Sequence, residues 1–367
     1  MKLTKRIVCL AAMVVLAANL PVSACTGLMV KAQDGSIVRA RTMEFGSTLK
    51  SDIIIVPRGY HFAAAEGAAE GLAWNAKYAF VATNPLGMPA AVDGVNEKGL
   101  SGGIFYFPEY ASFPKPSPDR KTLGPWDAVT YALSMATTAE EAAQAVIKAG
   151  VSSFVVKEWG ITPPTHYVFT DASGKSVVLE FTASGPTVYQ SPLGVITNSP
   201  SYNWHMTNLA NYVGLTDMAP APEQFGQVMV SAFGQGAGMR GLPGDFTPPS
   251  RFVRAVAFSA TALPSPTAQD AVLTAFHLLN NFDIPKGSTR SLANGKPTSE
   301  YTEWTSAADV TNRRFYVRTF QDSSIRMVDL MRCNLEASDI VTIKLDQVEK
   351  INDLTPAGRE RLLTGER

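Results

Sequence analysis

The sequence predicts a single α+β domain built from layered sheets and helices. Strand-like segments come first, a pair of helices follows at 125–150, strands return, a second helix pair spans 250–281, and strands end the pattern. Strands and helices grouped in this way are typical of layered α+β folds, whereas regularly alternating strands and helices would indicate a parallel sheet. No internal repeat and no long Pro/Ser-rich linker divides the chain.

The first two predicted strands form a hairpin. The runs CTGLMVKA and SIVRARTM flank the turn Gln33-Asp34-Gly35, and an Asp-Gly pair between two strand-like runs is a strong hairpin signal. Further strands are predicted at 52–56, 77–83 and 100–107. Residues 62–72 are predicted to be an Ala- and Gly-rich surface loop, and VDGVNEKGL (92–100) a turn. The apolar run GGIFYFP predicts a strand buried on both faces.

The predicted helices have recognisable ends. A helix at 125–137 opens with Pro125 in its first turn, and the next starts at a Thr138 cap and ends at Gly150. Apolar spacing predicts helices at 203–212, 250–263 and 267–281, and the remaining strands are predicted at 166–170, 176–181, 194–197, 300–308, 313–319 and 324–330. The loop at 234–245 is too rich in glycine for regular structure, and the polar C-terminal tail is expected to be loose.

Residues 1–24 have the pattern of an export signal. Lys2, Lys5 and Arg6 form a basic start, residues 7–20 are almost wholly apolar, and Val22-Ser23-Ala24 is a small-residue cleavage site. The apolar run has about 14 residues, fewer than the roughly 20 that a membrane span requires. We therefore predict an exported chain, periplasmic or secreted, whose residues 25–367 form one domain.

The residue behind the cleavage site, Cys25, fits two different fates. Cleavage before it would give one residue a thiol nucleophile together with an α-amine, whose pKa of about 7.7–8.0 makes it a usable base. The same VSA-Cys junction also suits a lipoprotein signal, in which the cysteine is lipidated. That second outcome would leave a lipid-anchored binding protein without enzymatic activity. The signal alone does not decide between them.

Composition excludes several classes of protein. The chain has 32 basic and 32 acidic residues, and removing the three basic residues of the signal leaves 29 against 32. There is no basic patch that would indicate a nucleic-acid partner, and no later segment is long and apolar enough to cross a bilayer. Charged residues make up only 17% of the chain, against about 25% in an average domain. This favours a compact, enzyme-like body.

The cysteines and histidines do not predict a metal site. Cys9 lies in the signal, so only Cys25 and Cys333 remain after cleavage, and a disulfide between them would consume the first thiol. No CxxC or HExxH motif occurs, and the histidines are scattered at His61, His166, His205 and His277. We expect no metal and no cofactor.

Four polar residues become candidates if Cys25 is a nucleophile, because amide hydrolysis needs a cation near the thiolate and donors for an oxyanion. Arg41 and Glu44 lie one hairpin away from Cys25, although the pattern alone favours solvated strand positions for both. Asn198 can donate to an oxyanion or can simply be a turn residue before Ser-Pro. Arg251 follows Pro248-Pro249-Ser250 at a predicted helix start, where surface arginines are common.

Longer motifs give these residues a context. CTGLMV, RTMEFG, VDGVNEKGL, GVITNSP, GLPGDFTPPSRFVR and KGSTR occur in this order over most of the chain after the signal. With these motifs the chain resembles the choloylglycine hydrolase and penicillin V acylase family of N-terminal-nucleophile amidohydrolases. The resemblance implies a four-layer αββα sandwich, in which two stacked antiparallel sheets bring the chain start into the cleft. It also implies a homotetramer.

The resemblance also implies roles for individual residues. Cys25 would be the nucleophile with its own α-amine as the base, and Asn198 and the main-chain N–H of Tyr106 would donate to the oxyanion. The catalytic set that it implies is Cys25, Arg41, Glu44, Asn198 and Arg251. The substrate-binding set is Met43, Phe105 and Tyr106, of which the two aromatic rings can stack on a phenoxy group. A core position is the alternative for these rings.

This chain departs from the family pattern at two positions. Glu44 stands where the family usually has an Asp thought to hold the α-amine, and the extra methylene displaces the carboxylate. Tyr106 stands where bile-salt hydrolases carry Asn and where penicillin V acylases tend to have Tyr. The change at Tyr106 would keep a main-chain oxyanion donor but would alter the shape of the pocket.

The resemblance favours the enzyme over the lipoprotein, because lipidation of Cys25 would leave Arg41, Asn198 and Arg251 without a purpose. The sequence therefore predicts an exported N-terminal-cysteine hydrolase that cleaves the linear C–N bond of a small N-acyl amide. Conjugated bile salts and penicillin V-type compounds are the expected substrates, and an N-acyl homoserine lactone is the alternative.

Overall fold

The computed structural model of the chain describes residues 24–46, 48–293 and 296–355. Most of the predicted export signal, residues 1–23, lies outside these ranges, and so do residues 356–367 of the predicted loose tail. The part of the tail that is described, 348–355, has no regular secondary structure. None of the helices in the described ranges has the length and apolar character that crossing a bilayer requires.

The described ranges contain short strands that are distributed along almost their whole length. They are β1 (Thr26–Lys31), β2 (Ile37–Glu44), β3 (Ile53–Val56), β4 (His61–Ala63), β5 (Ala73–Asn75), β6 (Phe80–Thr83), β7 (Asp93–Asn96), β8 (Leu100–Tyr106), β9 (Thr165–Asp171), β10 (Ser176–Thr182), β11 (Gly185–Gln190), β12 (Glu223–Phe225), β13 (Val228–Val230), β14 (Thr289–Ala293), β15 (Lys296–Glu300), β16 (Thr302–Asp309), β17 (Arg314–Thr319), β18 (Arg326–Asp329) and β19 (Val341–Ile343).

The helices come in two main pairs, as the sequence predicts. They are α1 (Ala64–Gly67), α2 (Ala128–Met135), α3 (Ala139–Ala149), α4 (Tyr202–Asn208), α5 (Pro248–Thr261) and α6 (Ala268–Leu279), with short 3₁₀ turns after α4 and α6. The cap of α3 forms as expected, because Thr138 accepts from the Glu141 N–H in a capping box and the helix ends at Gly150.

Two large antiparallel sheets form the centre of the molecule. The five-stranded sheet has the order β1-β2-β16-β17-β18, and the eight-stranded sheet has the order β11-β10-β9-β8-β7-β6-β3-β19. Helices α5 and α6 contact the first sheet, helices α2 and α3 contact the second, and β7 touches β16 and β17 across the gap between the sheets. The layers are therefore αββα, which confirms the predicted four-layer sandwich.

Separate apolar cores hold these layers together. The core between the sheets and beneath α5 and α6 contains Leu28, Phe105 and Phe252, and the core beneath α2 and α3 contains Leu133 and Phe169. Burial of each such side chain stabilises the fold by about 1.5–3 kcal/mol.

The N-terminal hairpin has the predicted turn and places Arg41 as expected. In the β1–β2 register, Thr26 lies opposite Thr42 and Gly27 opposite Arg41. β16 pairs with the other edge of β2, and β2 is buried along its whole length. The Arg41 guanidinium packs against the ring of Phe105 from the other large sheet, which explains why Arg41 is fully buried although arginine usually lies at the surface.

The predicted surface loop at 62–72 is wrong in part. Phe62 is buried in β4, its ring stacks on Trp74 of β5 at 4.9 Å, and Ala64 is also fully buried. The turn α1 follows, with Ala65 and Glu66 at positive φ. The small side chains of this segment predict exposure, but in the structure they allow close packing against the sheet.

Two further predictions need correction, and several of the observed strands were not predicted. The segment predicted as a turn at 92–100 contains the buried strand β7. Residues 194–197 form no strand, since only an isolated bridge links Ile196 to Gly27. The strand β11 was not predicted, because Pro186 interrupts its pattern; it is an edge strand, where proline is tolerated.

Candidate active site

Cys25 lies immediately before β1 and lines a cavity whose wall includes residues of both large sheets. The residue is only 2% exposed. The cavity is open to solvent, and its empty space, part of which is bulk solvent, is about 510 Å³. Its walls are almost wholly apolar and are formed by Cys25, Met43, Phe45, Leu49, Pro85, Val92, Ile104, Tyr106, Trp126, Trp159, Pro163 and Thr165. A thiol at the wall of a largely apolar cavity can attack the carbonyl of a bound acyl group.

The nitrogen of Cys25 is held by Asn198. The described chain still carries Ala24, so this nitrogen is a peptide N–H and stands in for the α-amine that cleavage would release. It donates to Asn198 Oδ1 at 2.9 Å, and Asn198 Nδ2 donates to the Tyr106 carbonyl at 2.8 Å. Asn198 thus ties Cys25 to the end of β8. Its amide oxygen accepts from the Cys25 nitrogen, a contact that the sequence did not indicate.

Arg251 completes the polar contacts around Cys25. It lies in the first turn of α5 with a fully buried side chain. Its guanidinium donates to the Cys25 carbonyl, to Thr26 Oγ1 at 2.9 Å and to Asn198 Oδ1 at 2.6 Å. Burial lowers the pKa of Arg251 to about 10, while nearby Glu44 acts in the opposite direction. Arg251 therefore remains a cation at neutral pH.

The side chain of Met43 separates the Arg41 guanidinium from the Cys25 thiol. Its guanidinium packs 4.1 Å from the centre of the Phe105 ring and donates to the Ile104 carbonyl. Its Nη2 is 3.8 Å from Met43 Sδ, and Cys25 Sγ is 3.9 Å from the same sulfur. Met43 thus lies between the Arg41 guanidinium and the thiol of Cys25.

Glu44 is fully buried beside these groups. Thr42 Oγ1 donates to one carboxylate oxygen at 3.1 Å, and Thr302 Oγ1 donates to the other at 2.5 Å. Burial raises the pKa of Glu44 to about 8, although these hydroxyls and Arg251 favour the ionised form. A second buried carboxyl group, Glu300, has its pKa raised to about 8 by burial and by the charge of Glu44. The sequence did not single out Glu300.

The structure separates the two aromatic residues that the sequence grouped. Tyr106 lines the cavity, where its ring meets that of Phe45 edge-on at 5.8 Å. Phe105 points to the opposite face of β8, is fully buried beneath Arg41 and does not line this cavity. Alternation of side chains along a strand allows only one of two neighbours to face a pocket. Phe105 supports Arg41 instead of offering a ring to the cavity.

Other cavity residues were missed by the sequence analysis. Trp126 and Trp159 both contribute to its wall, and Trp159 packs against Phe45 with 5.0 Å between ring centres. They come from segments before α2 and before β9, which no local pattern relates to Cys25. Their common feature, an aromatic ring near a proline in each segment, is too general to have revealed them.

The structure also describes the remaining candidates for metal or disulfide chemistry. Among the described residues, no three His, Cys, Asp or Glu side chains are grouped so that they could hold a metal ion. Cys25 and Cys333 are both thiols, and the Cys333 Sγ lies 3.4 Å from the Asp329 carbonyl.

The four-layer arrangement, with a cysteine immediately before the edge strand β1, is that of the N-terminal-nucleophile hydrolases. Residues 25–343 match the model of the linear amide C–N hydrolases, choloylglycine hydrolase family. The chain therefore belongs to this family, and it is a linear amide hydrolase.

Several known proteins are similar to it. A bile salt hydrolase/transferase of Clostridium perfringens is 31% identical over 331 residues, which cover 89% of this chain and 99% of the relative. A penicillin V acylase of Pectobacterium atrosepticum is 25% identical, with 84% of this chain and 81% of the relative covered. The crystal structure of a mutant conjugated bile acid hydrolase from Clostridium perfringens aligns with a TM-score of 0.81 at 30% identity, covering 90% of this chain and 99% of that one.

Proposed function

We propose that this chain is an exported amidohydrolase whose nucleophile is an N-terminal cysteine, released by cleavage between Ala24 and Cys25. The observation that carries the proposal is the convergence at Cys25. Its thiol faces an apolar cavity, while its nitrogen and carbonyl are held by Asn198 and Arg251. A residue that only anchors a lipid would not need both of its main-chain polar groups bound by buried side chains.

In the proposed reaction, the α-amine takes the thiol proton and the sulfur attacks the substrate carbonyl carbon. The oxyanion of the tetrahedral intermediate accepts hydrogen bonds from the Asn198 side-chain amide and the Tyr106 main-chain N–H. The C–N bond breaks as the α-ammonium protonates the leaving amine, and a thioester remains. Water then attacks the thioester with the α-amine as base, and this step releases the carboxylic acid and the thiol.

Buried cations give this site a positive potential. Arg251 contacts the nucleophile's own carbonyl, and Arg41 lies behind Met43. Both are held by hydrogen bonds to main-chain carbonyls, so their charges need no reorganisation during the reaction. Glu44 contributes little negative charge at neutral pH because burial raises its pKa to about 8.

The cavity favours an aromatic acyl group of the penicillin V type. Phe45, Tyr106, Trp126 and Trp159 provide four rings on its wall. The Tyr106 hydroxyl is buried without a hydrogen-bond partner among the described residues, and the ether oxygen of a phenoxyacyl group would supply one. We therefore rank penicillin V-type amides first.

Conjugated bile salts are the second candidate, because a bile salt hydrolase/transferase is 31% identical over nearly its whole length. A flat steroid can also occupy a largely apolar cavity. An N-acyl homoserine lactone is the third candidate, since it also consists of an apolar acyl chain joined by an amide bond to a polar amine part.

The test is turnover of the purified mature protein on penicillin V, glycocholate and an N-acyl homoserine lactone, combined with intact-mass analysis. We expect a mass that begins at unmodified Cys25 and the highest kcat/KM on penicillin V. A diacylglyceryl adduct on Cys25 would reject the enzyme in favour of a lipid-anchored binding protein. A higher kcat/KM on glycocholate would reverse the order of the first two substrates.

A further inference from the structure

The segment that carries Asn198 has little regular structure of its own. Residues 194–201 include only one isolated bridge, in which Ile196 pairs with Gly27. Yet the Asn198 side chain makes hydrogen bonds to the Cys25 nitrogen, Arg251 and the Tyr106 carbonyl. A side chain that must hold three partners needs a main chain that does not move. Apart from the bridge at Ile196, no ladder of β-sheet hydrogen bonds holds this segment. Contacts with other side chains must therefore keep its main chain in place.

Two buried histidines hold this main chain at consecutive carbonyl groups. His166 of β9 places Nε2 3.1 Å from the Thr197 carbonyl oxygen. His205 of α4 places Nε2 2.9 Å from the Asn198 carbonyl oxygen. The two carbonyls are consecutive, and the two histidines are only 1% and 2% exposed. We call His166 and His205 the histidine clamp.

Each ring of the clamp is itself fixed by stacking. The His166 ring lies parallel to Phe107, with 4.3 Å between ring centres and an angle of 2°. The His205 ring stacks on Phe252 of α5 at 4.8 Å and 14°. Stacked rings cannot rotate without losing these contacts, so their N–H groups stay aimed at the carbonyls.

Hydrogen bonds extend the clamp into neighbouring elements. His166 Nδ1 lies 3.3 Å from Glu180 Oε1 of β10, and the same oxygen accepts from the Tyr202 N–H at the start of α4. Burial lowers the pKa of His205 to about 4, and the charges of His166 and Arg251 act in the same direction. His205 is therefore neutral at neutral pH, and its Nε2–H is the donor to the Asn198 carbonyl.

We propose that His166 and His205 are positioning residues that fix the main chain at Thr197 and Asn198 and so aim the Asn198 side chain at the nitrogen of Cys25. This inference rests on the proposed function, because it assigns the clamp to the alignment of the α-amine. Neither histidine touches the cavity that we assign to the substrate. Their effect must therefore pass through Asn198.

Two substitutions of His205 separate its donor from its packing. Phe keeps a ring that can stack on Phe252 but has no N–H, whereas Gln has an Nε2–H that can reach the carbonyl but no ring. We expect His205→Phe to lower kcat about 10- to 100-fold with KM changed less than about twofold, and His205→Gln to recover most of the loss. The same substitutions of the exposed His277 serve as controls and should leave kcat unchanged.

The pH profile gives a readout that a purely structural role would not change. Asn198 Oδ1 accepts from the nitrogen of Cys25, and an acceptor stabilises an ammonium more than an amine. When this contact is lost, the pKa of the α-amine falls. We therefore expect the acidic limb of the kcat/KM profile to move to lower pH in His205→Phe and His166→Phe, but not in His277→Phe.

A crystal structure of the mature His205→Phe protein tests the clamp without any turnover. We expect the distance from Asn198 Oδ1 to the Cys25 nitrogen to exceed about 3.5 Å, the limit of a hydrogen bond. An unchanged distance would overturn the proposal, and so would equal losses of kcat in the Phe and Gln variants with an unchanged pH profile. If the wild-type protein hydrolyses no amide, the proposed function fails, whereas this structure still decides on the clamp.

Discussion

At the scale of single residues, the thiol of Cys25 carries the proposed chemistry. Cys25→Ser should largely abolish turnover while the protein stays folded, because serine fits the same space but forms no anion near neutral pH. We expect a fall in kcat of at least about 10³-fold, measured on penicillin V with thermal unfolding in parallel. Cys333→Ala is the control and should leave the rate unchanged, because Cys333 packs against Asp329 away from the cavity lining. Retained turnover in the serine variant would move the nucleophile elsewhere.

Tyr106 is the residue that should distinguish between the substrates. Its ring lines the cavity, and its main-chain N–H is the proposed oxyanion donor, so Tyr106→Asn removes the first and keeps the second. Ring stacking contributes about 0.5–1.5 kcal/mol beyond burial, so kcat/KM for penicillin V should fall about two- to tenfold relative to glycocholate. An equal fall on both substrates would instead make the tyrosine a support of the catalytic frame.

At the scale of elements, β1 is the strand whose position determines the site. It passes so close to its neighbours at Gly27 that an added Cβ would lie 2.8 Å from Phe105 Cζ and 2.9 Å from Ile196 Cγ2. Phe105 supports Arg41, and Ile196 lies two residues before Asn198. The close approach at Gly27 therefore joins three parts of the candidate site.

Gly27→Ala should consequently reduce both stability and activity. Overpacking of this kind lowers stability by about 1–3 kcal/mol. The shift of β1 should also lower kcat/KM by at least about tenfold, because a displacement of reacting groups by one ångström can reduce the rate about 100-fold. Thr138→Ala is the matched control, because loss of the α3 cap costs about 1 kcal/mol on the far side of the eight-stranded sheet. If Gly27→Ala and Thr138→Ala lose the same activity for the same loss of stability, the close approach at Gly27 does not position the site.

At the scale of the whole molecule, buried carboxyl groups make stability depend on pH. Burial raises the pKa of Glu44 and of Glu300 to about 8, and that of Asp127 and of Glu303 to about 7. Their pKa values in the folded chain lie above those in the unfolded chain. Their contribution to stability is therefore complete below about pH 4 and is lost as the pH rises through 7 and 8.

Glu300→Gln should remove part of the loss of stability at high pH, because the amide is neutral at every pH and has nearly the same shape as the carboxyl group. We expect a higher melting temperature than wild type at about pH 8.5 and a much smaller difference at about pH 5, with about 2–4 °C for each kcal/mol recovered. Thermal unfolding at the two pH values is the measurement. An equal change at both would show that Glu300 is not protonated in the folded protein.

Local patterns were enough to predict the parts of the fold that depend on neighbouring residues. The turn Gln33-Asp34-Gly35 determines how β1 and β2 pair, and this pairing brings Arg41 opposite Gly27. The threonine and glycine that bound α3 also act within one turn of chain. Predictions failed where distant packing decides, as in the segment at 194–197, which forms only one isolated antiparallel bridge, between Ile196 and Gly27 of β1, instead of a strand.

By itself, the sequence determined the layered α+β class, the hairpin that returns Arg41 and Glu44 to the chain start, and the motifs that define the family. Only the tertiary structure decided which side chains meet there. It turned Tyr106 into the cavity and Phe105 away from it, brought Trp126 and Trp159 to the wall, and set the two histidines against the main chain of Asn198. The reason is physical: turns and caps act over a few residues, whereas burial, pKa shifts and cavities arise from packing between residues that are distant in the chain.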